Sequence, residues 1–160
     1  MSETPAVLFV CLGNICRSPL AEAAFRAAAE RAGLAVHVES AGLGHWHLGY
    51  PPDPRAEAVA RRHGIEMGDK RARLVTPEDF DRFDFVIGLD RDNLAGLRRI
   101  APAGSRAEVS LLLDHVPGRK GQSVTDPYYE EDSAFDDAWQ DACEGAEALV
   151  ERLKAKAAKR

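Results

Sequence analysis

Cys11 and Arg17 are the two side chains whose types and spacing best fit chemistry on an anion, in the pattern Cys-x5-Arg. A turn of this length can wrap one tetrahedral anion, with the sulfur beneath it and the guanidinium beside it. The planar fork of an arginine holds two oxygens at once, which a lysine cannot do. A thiol at a helix N-terminus that faces an arginine is stabilised as the nucleophilic thiolate. The pattern therefore predicts an anion site that contains a nucleophile.

The neighbouring residues predict the elements that position this pair. Residues 6–10 form an apolar run typical of a strand buried on both faces of a parallel sheet, and residues 19–32 indicate an alanine-rich helix. Ser18 is predicted as the N-cap of that helix and Pro19 as its first residue. Because unpaired N–H groups at a helix N-terminus bind anions, the turn between strand and helix is predicted to be a phosphate loop.

The rest of the chain alternates between predicted strands and predicted helices. Further strands are predicted at 36–38, 83–89 and 108–113, and further helices at 54–62, from Thr76-Pro77 onward, at 90–100 and at 133–156. This alternation predicts a single α/β domain over residues 1–160, with right-handed crossovers. We expect three layers, in which helices flank a central four-stranded parallel sheet and the phosphate loop follows the first strand.

Composition excludes several classes of protein. The net charge of −5 gives no reason to expect a basic surface that binds nucleic acid, and no apolar run is long enough for a membrane span. Three cysteines and the absence of a signal-peptide pattern at the start favour a reduced, cytoplasmic setting. Three histidines, His45, His47 and His63, lack the cysteine partners and spacing of a zinc site and are predicted to be surface or loop residues. We expect no metal and no cofactor.

The longer sequence around the pair narrows the class. Cys-x5-Arg alone is a weak pattern, but the string Cys11-Leu12-Gly13-Asn14-Ile15-Cys16-Arg17-Ser18-Pro19 directly after an apolar strand is specific. It resembles the signature of the low-molecular-weight protein-tyrosine phosphatases. The resemblance continues, in order, through Ser40-Ala41-Gly42, Trp46-His47, Pro52-Asp53-Pro54-Arg55 and Asp126-Pro127-Tyr128-Tyr129.

The resemblance implies hydrolysis of protein phosphotyrosine, and of simple aryl phosphates, through a phosphocysteine intermediate. Cys11 would attack phosphorus, and Arg17 would hold the phosphoryl group. Asp126 would protonate the leaving phenolate and then activate water, a role that suits a positioned carboxyl. The remaining loop residues would bind phosphate, and three hydroxyl and amide side chains would support the loop. The loop residues are Leu12, Gly13, Asn14, Ile15, Cys16 and Ser18, and the supporting residues are Asn14, Ser18 and Ser40.

Apolar and aromatic residues match the walls of the substrate crevice in this family. By resemblance the walls are formed by Ile15, Trp46, Tyr128 and Tyr129. In the related arginine phosphatases the position of Ile15 is threonine, so isoleucine favours phosphotyrosine. The implied partners are phosphotyrosine-containing proteins, with inorganic phosphate or other oxyanions as inhibitors. The chain is expected to be a monomer or a weak dimer.

Cys16 suggests a redox role, because it lies in the same turn as Cys11. A reversible disulfide between the two sulfurs would stop the reaction under oxidation and protect Cys11 from irreversible oxidation, and the resemblance implies the same. The alternative is a buried structural thiol. Cys143, in the last predicted helix, is expected to be inert.

Two positions depart from the family pattern, and two other functions remain as alternatives. Leu43 stands where the family often has a hydroxyl residue, and Lys70 stands where many members have a histidine that supports the loop.

A non-catalytic phosphate- or phosphotyrosine-binding module would need neither the nucleophile nor the acid. An arsenate reductase would need relay cysteines, and residues 81–126 contain none. A nucleotide-binding P-loop is excluded because Gly-x4-Gly-Lys-Ser/Thr is missing.

Overall fold

A parallel sheet forms the centre of this protein. The computed structural model describes residues 4–124, 126–128, 130–131 and 133–158. The strands are β1 (Ala6–Cys11), β2 (His37–Gly42), β3 (Phe85–Gly88) and β4 (Glu108–Leu111). Their order across the sheet is β2-β1-β3-β4, and all neighbouring strands are parallel. The predicted four-stranded parallel sheet is confirmed, with β1 in its interior.

Helices cover both faces of the sheet. Those in the described ranges are α1 (Arg17–Arg31), α2 (Pro54–Arg62), α3 (Asp79–Arg82), α4 (Arg91–Ile100) and α5 (Ser133–Ala158), with a 3-10 turn at Leu112–His115. Val7 and Phe9 of β1 pack with α1, α2 and α5 on one face. Leu8 and Val10 pack with α3 and α4 on the other, because successive side chains of a strand point to opposite faces. The predicted three-layer arrangement is confirmed.

The last helix packs along α1 through one apolar stripe. Its stripe residues recur every three or four positions, as expected of an amphipathic helix. They are buried, and they are Phe135, Ala138, Trp139, Ala142, Ala146, Leu149 and Val150. The assignment of Trp139 to the core is therefore confirmed.

The start of α1 differs from the prediction. Ser18 is not its N-cap and Pro19 is not its first residue, because the helix begins at Arg17 with Cys16 in the cap position. The Cys16 side chain makes no capping hydrogen bond, and the Ser18 hydroxyl instead contacts Cys11 and Asn14. Without such a cap, the first N–H groups of the helix remain available to an anion.

Several other boundaries also differ from their predicted positions. Strand β2 extends to Gly42 because its parallel pairing with β1 continues as far as Cys11. Helix α3 begins at Asp79 rather than at Thr76-Pro77, since the Asp79 carboxylate accepts the Thr76 N–H at 2.8 Å and holds this segment as a turn. Strand β4 ends at Leu111, where the 3-10 turn begins. In the part of the chain described, no helix is long and apolar enough to cross a membrane.

Candidate active site

The turn between β1 and α1 wraps around the Cys11 sulfur. Cys11 is the last residue of β1 and is 4% exposed. The backbone N–H of Asn14 donates to Cys11 Sγ at 3.3 Å. Asn14 has a φ of 60°, in the left-handed region that asparagine tolerates better than most residues. This conformation directs a backbone N–H toward the sulfur, where it stabilises negative charge.

Two glycines let neighbouring segments approach this turn closely. A Cβ on Gly42, at the end of β2, would lie 2.9 Å from the Leu12 carbonyl oxygen. A Cβ on Gly13 would lie 2.9 Å from Cδ2 of the His47 ring. The His47 ring therefore rests directly on the turn, and substitution of either glycine would displace a wall of the site.

A chain of hydrogen bonds supports the sulfur from the side of β2. The Ser18 hydroxyl lies 3.0 Å from Cys11 Sγ. Asn14 Nδ2 donates to Ser18 Oγ at 2.9 Å and to Ser40 Oγ at 3.0 Å. These contacts bring together the three residues expected to support the loop.

Glu22 fixes the direction of these hydrogen bonds. Ser40 Oγ donates to Glu22 Oε1 at 2.6 Å, and an ionised carboxylate can only accept. Ser40 Oγ is thus left to accept from Asn14, and because Asn14 also donates to Ser18, the Ser18 proton is free to point at Cys11. Sequence reasoning gave Glu22 no role, although it lies one helical turn after Ser18 on α1.

Lys70 completes this chain at its far end. Its Nζ donates to the Ser40 carbonyl oxygen at 2.8 Å and lies 3.6 Å from Glu22 Oε1, while Arg26 pairs with Oε2 of the same carboxylate at 2.9 Å. Burial lowers the pKa of Lys70, and the Glu22 charge opposes this effect. The Lys70 ammonium, which stands where many family members have a histidine, therefore directly contacts Ser40 and Glu22, two residues of the hydrogen-bond chain that supports the loop.

Arg73 holds the Asn14 amide in one orientation. Its backbone N–H donates to Asn14 Oδ1 at 3.0 Å, so Nδ2 must face the two serines. The Arg73 guanidinium pairs with the fully buried Asp79 carboxylate at 3.0 Å and with Glu39 at 3.0 Å. Hydrogen bonds to these two carboxylates raise the pKa of Arg73, against the opposing effect of burial. This ion-pair cluster anchors the segment that contacts the loop.

Arg17 is buried and held by groups from two other segments. Its Nη1 lies 2.9 Å from Asp90 Oδ2 and donates to the Val124 carbonyl oxygen at 2.9 Å. Its Nη2 lies 3.5 Å from Asp126 Oδ2. Sequence reasoning missed Asp90, but its position two residues after the end of β3, at the sheet edge where β1 also ends, is a signal that could have identified it.

Asp126 lies on the loop after the 3-10 turn, and its side chain is half exposed. Its Oδ1 accepts the Tyr128 N–H at 3.1 Å, which places the carboxylate in a short local turn next to Pro127. The structure brings Asp126 to the edge of the crevice that Cys11 and Arg17 also line.

The crevice has a volume of about 380 Å³. Its lining residues are Cys11, Leu12, Gly13, Ile15, Cys16, Arg17, Trp46, His47, Asp126 and Tyr128. The lining includes Ile15, Trp46 and Tyr128, as expected, whereas Tyr129 lies outside the described residues. His47 is on a loop, as predicted, but it also forms part of the wall, with its ring 5.7 Å from that of Tyr128.

Cys16 lines the same crevice and is buried. Burial raises its pKa strongly, and the Asp53 carboxylate, 3.9 Å from its sulfur, acts in the same direction. Asp53 caps α2 and is itself paired with Arg55 at 3.0 Å. The Cys16 thiol is thus held in its protonated form. Cys143, on α5, has a pKa raised to about 11 by burial.

Among the described residues, no group of His, Cys, Asp and Glu side chains is arranged to hold a metal ion.

A parallel sheet whose first strand ends in a cysteine, followed by an anion-binding turn and an arginine, defines a cysteine-dependent phosphatase. The chain also matches a known family along nearly its whole length: residues 6–159 match the family described as low molecular weight phosphotyrosine protein phosphatase. The chain belongs to this family.

Individual relatives agree with this assignment. The chain is 47% identical over 131 residues to low molecular weight phosphotyrosine protein phosphatase 2 of Drosophila melanogaster. This match covers 81% of this chain and 79% of the relative. It is 42% identical over 142 residues to the Schizosaccharomyces pombe phosphatase, covering 87% and 90% of the two chains. The crystal structure of YfkJ from Bacillus subtilis superposes with a TM-score of 0.90 at 39% identity, covering 97% of this chain and 98% of that one. The crystal structure of a Drosophila arginine phosphatase superposes with a TM-score of 0.87 at 30% identity, and the match covers 92% of this chain and 97% of that one.

Proposed function

We propose that this crevice hydrolyses protein phosphotyrosine, with Cys11 as the nucleophile, Arg17 as the phosphoryl-binding residue and Asp126 as the general acid and base. The observation that carries the proposal is the convergence of these three side chains on one crevice. A module that only binds phosphate needs neither a nucleophile nor an acid, so their joint presence favours catalysis over binding alone.

The reaction has two chemical steps. In the first, the Cys11 thiolate attacks phosphorus, a sulfur–phosphorus bond forms, and the bond to the tyrosyl oxygen breaks as Asp126 gives that oxygen a proton. In the second, the Asp126 carboxylate takes a proton from water, whose oxygen attacks phosphorus and releases phosphate and the thiolate. The N–H groups of residues 12–18 and the Arg17 guanidinium stabilise charge on the equatorial oxygens in both transition states.

The walls of the crevice support an aromatic substrate. Ile15 is apolar and buried, Trp46 is exposed at the rim, and the Tyr128 ring packs beside His47. A flat phenyl ring can lie between such walls, while a flexible aliphatic phosphoester gains less from them. Tyr129 remains a predicted fourth wall residue.

The decisive test compares turnover with binding, without added metal. Wild type is expected to hydrolyse p-nitrophenyl phosphate and phosphotyrosine peptides. Cys11→Ser is expected to abolish turnover and to retain phosphate binding, because the backbone N–H groups and Arg17 remain. Wild type that binds phosphate without turnover would establish the binding-module alternative. A higher kcat/KM on phosphoarginine than on phosphotyrosine peptides would instead assign arginine phosphatase activity, against the expectation from Ile15.

We also propose that Cys16 protects Cys11 under oxidation. Peroxide would convert the Cys11 thiolate to a sulfenic acid, and the Cys16 thiol would then attack that sulfur, forming a disulfide as water leaves. Both residues line the crevice, which supports the pairing. Peroxide-treated wild type should regain activity with dithiothreitol, whereas Cys16→Ser should lose activity irreversibly. Equal recovery in both proteins would contradict the proposal.

The physiological setting is proposed from the family. We propose that the substrates are phosphotyrosine-containing proteins and that phosphate and other oxyanions inhibit competitively. We further propose one domain over residues 1–160 that acts in the cytoplasm as a monomer or a weak dimer. Sedimentation across a range of protein concentrations would test the state of association.

A further inference from the structure

A second cleft lies beside the crevice, on the side of α4. It has a volume of about 490 Å³, and it shares Leu12, Arg17 and Asp126 with the crevice. We call it the α4 cleft; its other lining residues are Leu43, Asp90, Asp92, Asn93, Gly96, Arg99 and Ile100. Because the two spaces share lining residues, a peptide whose phosphotyrosine occupies the crevice can place a neighbouring side chain in the α4 cleft.

The lining of the α4 cleft is apolar in one part and polar in another. Leu12 (48% exposed), Leu43 and Ile100 provide apolar surface. Asp92 and Asn93 provide acceptor oxygens in the first turn of α4. A side chain with an apolar stem and a polar head fits this combination.

Asn93 contains an unsatisfied acceptor. Its side chain is 3% exposed, and within the described residues its Oδ1 has no hydrogen-bond partner. An unpaired buried carbonyl is destabilising, so native proteins rarely retain one without a reason. Asn93 lines the α4 cleft, so a small rotation of its side chain toward the cleft would let a bound donor group supply the missing hydrogen bond.

Of the three carboxylates that line the α4 cleft, only that of Asp92 has no ion-pair or hydrogen-bond partner among the described residues. The Asp90 carboxylate is occupied by Arg17 and by the Asn93 N–H, and Asp126 accepts the Tyr128 N–H and lies near Arg17. Asp92, in contrast, is exposed, and the structure gives it no ion pair within the described ranges. The fixed negative charge therefore faces solvent and can accept a cation.

The lining contains two arginines and three aspartates, which gives it a formal net charge of −1, and its second cation is Arg99. Its Nη2 lies 3.8 Å from the position of a Cβ on Gly96, so the guanidinium covers the middle of α4 rather than its first turn. The net charge of the whole chain, −5, also favours basic over acidic peptides.

We propose that the α4 cleft is a specificity site for a lysine or arginine side chain next to the phosphotyrosine of a substrate. The aliphatic stem lies along Leu12 and Leu43, the charged head pairs with Asp92, and one of its N–H groups donates to Asn93 Oδ1. This proposal rests on the proposed function, because it assumes that phosphotyrosine occupies the crevice.

Binding to the Cys11→Ser variant tests the site without requiring turnover. Phosphotyrosine peptides carrying lysine at each position flanking the phosphotyrosine in turn would be compared with peptides carrying norleucine or glutamate there, by calorimetry at low salt. At one position or more, lysine is expected to tighten binding about three- to tenfold over norleucine, the size expected of one net hydrogen bond or of one partly exposed ion pair.

Substitutions at Asp92 localise the effect. In the Cys11→Ser background, Asp92→Asn should abolish the preference for lysine, and Asp92→Lys should turn it into a preference for glutamate. Asp81→Asn, which removes an exposed carboxylate of α3 outside the cleft, should keep the wild-type preference. Equal affinity for lysine and norleucine peptides at every position, or a preference that survives Asp92→Asn, overturns the proposal. Hydrolysis of p-nitrophenyl phosphate by the Asp92 variants with Cys11 intact reports separately on the proposed function and should be unchanged.

Discussion

The Asp90 carboxylate lies 2.9 Å from Nη1 of Arg17 and joins that guanidinium to the start of α4. Its other oxygen accepts the Asn93 N–H at 2.6 Å, so the aspartate caps the helix and pairs with the arginine at once. The Val124 carbonyl accepts from the same Nη1. Nη1 is therefore fixed before a phosphoryl group arrives, and Nη2 remains directed toward Asp126. Such preorganisation is a principal source of transition-state stabilisation.

Asp90→Asn should reduce kcat/KM for p-nitrophenyl phosphate about ten- to a hundredfold. Asparagine can still cap α4, but it removes the charge that orients Arg17, and hydrogen bonds to charged groups contribute about 1.5–3 kcal/mol. Steady-state kinetics and the inhibition constant of phosphate measure the effect. Asp92→Asn, at the second residue of the same helix, is the matched control and should leave the rate unchanged. Wild-type kinetics for Asp90→Asn would show that Val124 alone holds the arginine.

Asp126→Asn should slow hydrolysis according to the leaving group. Phenyl phosphate needs a proton on its departing oxygen, so its kcat should fall by about 10²–10⁴-fold. The p-nitrophenolate ion leaves more easily without a proton, and its kcat should fall less. Rates across a series of substituted phenyl phosphates measure this as a steeper dependence on phenol acidity. Asp137→Asn, on the exposed side of α5, is the control, and an unchanged slope for Asp126→Asn would rule out its role as the acid.

Glu22→Gln should impair catalysis although Glu22 contacts no substrate. A neutral amide can donate to Ser40, which would free Ser40 to reverse its hydrogen bond and weaken the contact from Ser18 to Cys11. A loss of about 1–2 kcal/mol, or roughly five- to thirtyfold in kcat/KM, is expected from one reversed hydrogen bond.

Lys70→Met should act through the same carboxylate, so the effects of the Glu22 and Lys70 substitutions should be less than additive. Since both are positioning residues, the acid limb of the pH–rate profile should move to higher pH in each variant, which a general loss of stability would not produce. Lys70→Arg, which keeps the charge, should restore most of the rate. A pH–rate profile identical to that of wild type in both variants would refute this account of the loop support.

The pH dependence of stability should report on His115. Burial and the Arg152 guanidinium lower the pKa of His115, and the carboxylates of Glu108 and Asp114 oppose this only in part. Unfolded histidine titrates near about 6.5, so below that pH the unfolded chain binds the proton more readily than the native state. The stability that His115 contributes is therefore complete above about pH 6.5 and declines as pH falls toward its lowered native pKa.

Urea midpoints at pH 7.5 and 5.5 measure this effect. His115→Gln should lose less stability than wild type over that interval, whereas His63→Gln, at an exposed position, should behave as wild type does. An equal loss in the wild type and in His115→Gln would contradict the assignment.

The sheet and the phosphate loop could be predicted because their causes are local in sequence. A short, β-rich apolar run such as β1 is typical of a strand covered on both faces, and a small-residue turn before an alanine-rich stretch is typical of the start of a helix. The N-cap prediction at Ser18 was wrong for an equally local reason: capping preferences describe helices that satisfy their own first N–H groups, while α1 leaves them for an anion.

The groups that hold Arg17, and the groups that support the Cys11 sulfur, could not be predicted from local sequence patterns. Asp90 and Val124 lie more than seventy residues from Arg17 along the chain. The parallel order of β1 and β3 brings Asp90 to the sheet edge where β1 ends, and the Val124 N–H donates to the Leu89 carbonyl oxygen at that edge. Lys70 reaches Ser40 and Glu22 because its segment folds beside the end of β2, where Gly42 bridges to Leu74.

The sequence by itself determined which residues could perform the chemistry, because a thiol, a guanidinium and a carboxyl are properties of residue type and the loop lies within a few residues of chain. The tertiary structure alone decided how each is oriented, charged and shielded. Those properties depend on through-space distances between segments, such as Arg17 to Asp90 or Ser40 to Glu22, that no local pattern encodes.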